Sequence, residues 1–237
     1  MAETKSECYS DDDGFPETDV TLLVEDKIIH VNKAVLSQHS PVFSAMFSGS
    51  FKESTEKEIT LKNKKAKDFI EFLRCFYPNM KHAITEQNVL RVLPLAHEYQ
   101  SPLVTDCEKF MASMCKPGTR LTVTTLLDYI IAAEKYDLNT FLDTAVEFCG
   151  HVEFDLLNGR TFERKEVKIE SPAWPICPIS VWIYDVQEMK DISSKFLEID
   201  SKTQHAISVR RLHVLEMNER KKKNLDDIEE DYVIKLS

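Results

Sequence analysis

Between Thr18 and Ser54 the spacing of the apolar residues changes from strand-like to helix-like inside one short stretch, TDVTLLVEDKIIHVNKAVLSQHSPVFSAMFSGSFKES. Side chains that alternate in and out belong to strands, and those that recur every three or four positions belong to helices. Taken with the patterns that follow it, the stretch predicts a small set of strands covered by many helices, an α+β class. Val20 to Val31 reads as two β-prone runs, TLLVE and IIHV, divided by the polar Asp26 and Lys27, and so predicts a hairpin. Asn32 is the expected N-cap of the helix KAVLSQ. Ser40-Pro41 then repeats the start signal, a capping hydroxyl followed by Pro at the first helical position. Val42, Ala45 and Met46 are expected to give this second helix its apolar face, and Gly49 to end it.

The same reading continues along the chain. EITL, at 58–61, is a short strand. Ala66, Phe69, Ile70, Leu73 and Phe76 form one stripe of a helix over 64–77, which Pro78-Asn79 breaks. Thr85 caps a further helix with Val89, Leu90, Leu93, Ala96 and Tyr99 facing inward. Pro94 stands inside it, and an interior Pro costs about 3 kcal/mol, so a kink or a break is expected there. Ser101-Pro102 restarts a helix carrying Leu103, Val104, Cys107, Phe110 and Met114. After the punctuation of Lys116-Pro117-Gly118-Thr119 come two helical patterns, over 122–136 and 139–150, that read as an antiparallel pair. Beyond Gly159, FERKEVKIES and ISVWIYDV alternate like strands on either side of the proline-dense SPAWPICP, and AISVRRLHVLEM fits a strand or a helix. The expected organisation is a flexible acidic tail over 1–16, a domain over 17–116, a helical extension over 117–158 and an uncharacterised region over 159–237.

Composition excludes several classes of function. Asp and Glu outnumber Lys and Arg by 40 to 30, giving a net charge of −10, so no nucleic-acid partner is expected. The basic run Arg220 to Lys223 is followed at once by the acidic run Asp226 to Asp231, which cancels most of its field. No stretch approaches the ~18 apolar residues of a membrane span, and the first residues hold no apolar signal core. The expected location is cytoplasmic, nuclear or both. The six cysteines show no CxxC pair, and several sit at apolar helical positions, where a thiol acts as a small hydrophobe.

No catalytic, metal or cofactor site is expected. His97-Glu98 starts an HExxH-like helix, but Ser101 stands where the second zinc ligand belongs. Asp11-Asp12-Asp13-Gly14 resembles the start of a calcium loop but has Leu22 at its twelfth position instead of an acid. The five glycines are scattered and form no phosphate cradle. His39 stands beside the Ser40 hydroxyl, but that hydroxyl is already engaged as a cap.

In order along the chain, Asp19-Val20, Lys33-Ala34-Val35-Leu36, Ser40-Pro41-Val42-Phe43 and Met46-Phe47 resemble the BTB (POZ) domain pattern of a strand start, a Lys-x-x-Leu helix and a Ser-x-x-Phe-x-x-Met-Phe helix. NVLRVLPLAHEY, from Asn88 to Tyr99, and the run from Pro102 to Phe110 resemble the two helices that follow in the family. The resemblance covers about 17–116 and is similar in flavour to the nematode MATH-BTB type of cullin adaptor, without the MATH domain. Asn32 replaces the family's histidine, and Pro94 replaces a helix former.

The resemblance implies a BTB/POZ fold, a small mixed sheet covered by helices, and a two-fold homodimer in which Asp19, Leu22, Lys33, Val35 and Leu36 meet the symmetry mate. It makes Asp19 and Lys33 a charged pair at the dimer pocket; the other reading has Asp19 capping the strand entry and Lys33 in solvent. It also makes Phe51-Lys52-Glu53 the apolar-x-Glu element that inserts into a groove of a cullin scaffold; the other reading folds Phe51 back over its own core. The function implied is a non-enzymatic adaptor linking an unknown protein substrate to a cullin-RING ubiquitin ligase. The alternative is a BTB oligomerisation scaffold or transcriptional co-regulator without a ligase.

Overall fold

The computed structural model describes residues 18–48, 51–116, 119–152, 154–159, 168–171, 174–178 and 186–234. Contacts divide the chain into two units, the first ending at Phe110 and the second starting at Met111, so the division falls inside one helix.

Unit 1 starts with the hairpin. β1 (Val20–Val24) pairs antiparallel with β2 (Lys27–Val31). The turn is Glu25-Asp26, one residue earlier than expected, because Val24 pairs with Lys27 and draws Lys27 into the strand. Glu25 sits at φ 55°, and its carboxylate accepts from the Ala66 N–H at 2.8 Å, capping a helix remote in sequence. β3 (Glu58–Leu61) lies parallel to β1 on its other side, giving the order β2-β1-β3. A parallel neighbour needs a crossover, and the intervening α1 (Lys33–His39) and α2 (Pro41–Ser48) lie on that connection. Ile29, Leu22 and Ile59 occupy one row across the three strands, and all are buried.

The caps predicted for α1 and α2 are in place. Asn32 Oδ1 accepts from the Val35 N–H at 3.1 Å, and Ser40 Oγ accepts from the Phe43 N–H at 3.1 Å. The apolar face of α2 is rotated from the expected one. Phe43 is fully buried, Val42 and Met46 are half-buried and Ala45 is exposed. The aromatic ring has the most surface to remove from water and sets the helix rotation. Phe43 stacks on Tyr99 with ring centroids 4.4 Å apart and meets Phe69 edge-on.

α3 (Ala66–Phe76) buries the whole predicted stripe together with Phe72 and Cys75. α4 (Val89–Glu98) starts at Asn88, whose Oδ1 accepts from the Thr85 N–H, so Thr85 opens the preceding turn and is not the cap. α4 runs through Pro94 without a break. The carbonyl that Pro94 leaves without a helical donor belongs to Leu90, which faces solvent instead of the expected core, with Val92 and Leu95 buried in its place. α5 (Leu103–Met114) buries Leu103, Cys107 and Met111 and leaves Val104, Phe110 and Met114 only partly covered.

Unit 2 is mainly helical. α6 (Val123–Lys135) and α7 (Asn139–Cys149) pack together. α8 (Phe154–Leu157) and the ladder of β4 (Lys168–Ser171) with β5 (Trp174–Pro178) follow. The proline-dense stretch therefore supplies a strand where a separator was expected, while much of ISVWIYDV lies outside the described residues. α9 (Val186–Glu198) packs on α6 and α10 (Ser201–Ile234) packs on α7, so the region after 159 adds helices to the extension. AISVRRLHVLEM is helix throughout. Lys195 Nζ binds Asp128 at 2.6 Å, and Arg211 donates to the Gly150 carbonyl at 3.2 Å. Gly159 stands at φ +70°, and a Cβ there would lie 2.4 Å from the Met189 carbonyl oxygen, so the α8–α9 approach requires glycine.

Candidate protein-interaction surface

The fold gathers most of the candidate interaction residues near the N-terminus of α1 and the loop before β3. Asp19 precedes β1 and is exposed. Its Oδ1 accepts from the Lys33 backbone N–H at 2.7 Å. The carboxylate thus caps the start of α1, where the helix dipole favours an anion. Asn32 adds a second cap and donates its own N–H to Tyr77 Oη at 2.7 Å. Burial raises the Tyr77 phenol above its ordinary value and keeps it neutral.

The Lys33 side chain goes elsewhere. Its Nζ donates to the carbonyl of Ser54 at 3.1 Å and to that of Glu56 at 3.4 Å, and stands 5.3 Å from the centroid of the Phe47 ring. No Asp19–Lys33 side-chain ion pair is formed in the single chain: Asp19 reaches the Lys33 backbone, and the ammonium reaches a loop. Neither of the two readings of this pair described that arrangement.

Leu22 and Leu36 are corrected in place. Both are fully buried within unit 1, Leu22 at the centre of the three-strand row. A side chain with no exposed surface in one chain has none to lose to a partner, so these two support the surface from below. Val35 is half-buried on α1, beside exposed Ala34.

Phe51 is 59% exposed, which rules out the reading that folds it over its own core. It is the N-cap of a single 3-10 turn, Lys52–Ser54, with Lys52 exposed and Glu53 half-buried. The turn is tied internally: the Ser54 N–H and hydroxyl both reach the Phe51 carbonyl, at 3.1 and 2.7 Å, and the Thr55 N–H reaches the Lys52 carbonyl at 3.2 Å. The following residue pair is fixed to the sheet where the Thr21 N–H donates to the Lys57 carbonyl at 2.8 Å. The site is a short hydrogen-bonded turn with an exposed aromatic ring at its head and a half-buried glutamate two residues on.

The other chemical candidates fall on ordinary surface or core. His97 and Glu98 lie on the exposed face of α4, with Glu98 paired to Lys64 at 2.8 Å. His39 stacks on Phe76 with centroids 4.9 Å apart. Burial pushes the thiols of Cys75, Cys107 and Cys115 up to about 12, which leaves them protonated and poor nucleophiles. Among the described residues no group of acids, histidines and cysteines is arranged to hold a metal ion. Asp11 to Gly14 lies outside the described residues. Among the described residues no helix is long and apolar enough to cross a membrane.

The family model for the BTB/POZ domain matches residues 14–114. This part of the chain is a BTB/POZ domain. It is 38% identical over 94 residues to BTB and MATH domain-containing protein 38 of Caenorhabditis elegans, a match covering 39% of this chain and 24% of that protein. It is 38% identical over 95 residues to BTB and MATH domain-containing protein 15 of the same organism, covering 40% of this chain and 34% of that one. Human Kelch-like protein 17 is 31% identical over 134 residues, 54% of this chain and 21% of its own length. The chain therefore spans only about a quarter to a third of the MATH-type relatives, and the BTB/POZ domain is the part shared. Such a domain, set in proteins of such different make-up, is consistent with a protein-interaction adaptor.

Sequence reasoning named Lys33 but missed Ser54, Glu56 and Phe47 as its partners. No sequence signal could have found the first two, because the acceptors are backbone carbonyls that every residue carries.

Proposed function

We propose that this chain is a substrate adaptor: it forms a homodimer through its BTB/POZ unit and joins an unknown protein substrate to a cullin-RING ubiquitin ligase by seating Phe51 in a groove of the cullin. The observation that carries the reading is the Phe51 ring, 59% exposed at the head of a hydrogen-bonded turn with Glu53 two residues on. Leaving a large aromatic in water is costly, and such residues are the usual anchors of protein interfaces. The turn's internal hydrogen bonds hold its shape before binding, so less ordering entropy is lost on docking. In this reading the chain performs no catalysis itself. A dimer would present two substrate arms and two ligase arms, raising effective concentration without new contacts.

The test is Phe51→Ala in the full chain, assayed by pull-down with purified cullin three. The expected result is loss of binding with an unchanged far-UV circular dichroism spectrum and melting temperature. Retention of normal affinity would overturn the ligase reading and leave the oligomerisation scaffold or transcriptional co-regulator.

A further inference from the structure

We infer that Lys33 is the positioning residue of the Phe51 element, holding the 3-10 turn against α1 so that the aromatic ring is presented in one orientation. This rests on the reading that Phe51 docks a partner, and extends it to a residue outside the docking element.

The geometry is specific. The turn and its exit expose the carbonyls of Ser54 and Glu56, and the Lys33 ammonium donates to both, at 3.1 and 3.4 Å. Carbonyls at the end of a helical turn carry partial negative charge, so a cation there is favourable twice over, as donor and as charge. The ammonium also lies 5.3 Å from the Phe47 ring centroid, near the end of α2, so one side chain ties α1, α2 and the loop together. The turn's own hydrogen bonds hold its shape, but they do not fix where it sits. Among the described residues, hydrogen bonds tie it to the rest of unit 1 at the Thr21–Lys57 backbone bond and at Lys33, and it also packs on α2. The root of Lys33 is in turn fixed by the Asp19 carboxylate on its N–H.

Methionine, apolar and one atom shorter, would keep most of the packing of the lysine stem and lose all three donors. The loop would retain its internal turn and swing about its strand anchor, and the bound orientation of Phe51 would become one of several. Binding weakens by the fraction of time the competent orientation is lost.

The experiment uses the full chain with Lys33→Met, Lys33→Arg and Phe51→Ala, titrated against purified cullin three. Lys33→Met is expected to weaken binding by about tenfold or more, while the sedimentation mass stays that of the wild type. Amide hydrogen exchange at Ser54 to Glu56 is expected to accelerate. Lys33→Arg keeps a charge and donors and is expected to restore most of the affinity. If Lys33→Met melts too low to assay, Lys33→Leu, apolar and without a side-chain donor, replaces it with the same expected loss. Unchanged affinity and unchanged exchange in Lys33→Met overturn the inference. So does a fall to monomer mass with the loop's exchange unaltered, which would return Lys33 to a dimer pocket. Phe51→Ala separates the two failures: if it binds normally the ligase reading falls, and if it alone loses binding only the role of Lys33 falls.

Discussion

The Ser40 hydroxyl donates to the Tyr99 carbonyl at 2.6 Å across 59 residues of sequence, while its oxygen accepts from the Phe43 N–H. One side chain therefore starts α2 and closes the end of α4, with Phe43 and Tyr99 stacked beside it. Ser40 is fully buried, so no water stands ready to replace either bond.

Ser40→Ala removes both bonds and leaves a buried carbonyl without its donor. The expected loss is about 2–3 kcal/mol of unit 1 stability, the sum of a lost cap and an unsatisfied acceptor. Chemical denaturation checks it: the midpoint falls with an unchanged slope. Ser40→Thr keeps the hydroxyl and is expected to recover part of the loss.

Asp19 caps α1 through the Lys33 N–H. Asp19→Ala is expected to lower stability by about 0.5–1 kcal/mol, and Asp19→Asn by less, because the amide oxygen still accepts and only the charge is lost. Sedimentation of Asp19→Asn tests the proposed second role, at the contact of a homodimer. A weaker dimer supports a place for the carboxylate at the two-fold contact, and an unchanged dimer confines it to capping.

The buried thiols make stability fall at alkaline pH. Burial raises Cys75, Cys107 and Cys115 from an ordinary 9.0 to about 12. Below pH 9 both folded and unfolded chains keep these thiols protonated, and the contribution is fully present. Between about 9 and about 12 the unfolded chain loses protons that the folded chain retains, so stability declines with rising pH. Denaturation midpoints taken at pH 7, 9 and 10 should show the decline setting in above 9, and Cys75→Ala should reduce its slope. At pH 7.5 the native chain is expected to resist iodoacetamide at these positions and to react once unfolded.

Several elements could be read directly from the residues. Asn32 and Ser40-Pro41 marked two helix starts, and the stripe from Ala66 to Phe76 marked α3, because caps and periodicity are local properties of the chain. Phe51 stood out through the resemblance, as the apolar residue of an apolar-x-Glu element in a polar loop. Other features depended on contacts between distant segments. The rotation of α2 toward Phe43 follows from the rings of Phe69 and Tyr99, which the sequence does not place. α4 continues through Pro94, and Leu90, whose carbonyl the proline leaves without its helical donor, is exposed.

For the interaction surface, the sequence by itself determined which residues were available: an acid and a lysine near the start of α1, and an aromatic followed by a glutamate before β3. The tertiary structure decided their connections. It buried Leu22 and Leu36 in the protomer's own core, set Asp19 on a backbone N–H, and carried the Lys33 ammonium to the carbonyls of Ser54 and Glu56. The physical reason is that a charged group takes whichever opposite charge or polar partner lies within hydrogen-bond reach. Which partner that is depends on how the strands and helices pack, and backbone carbonyls carry no mark in the sequence.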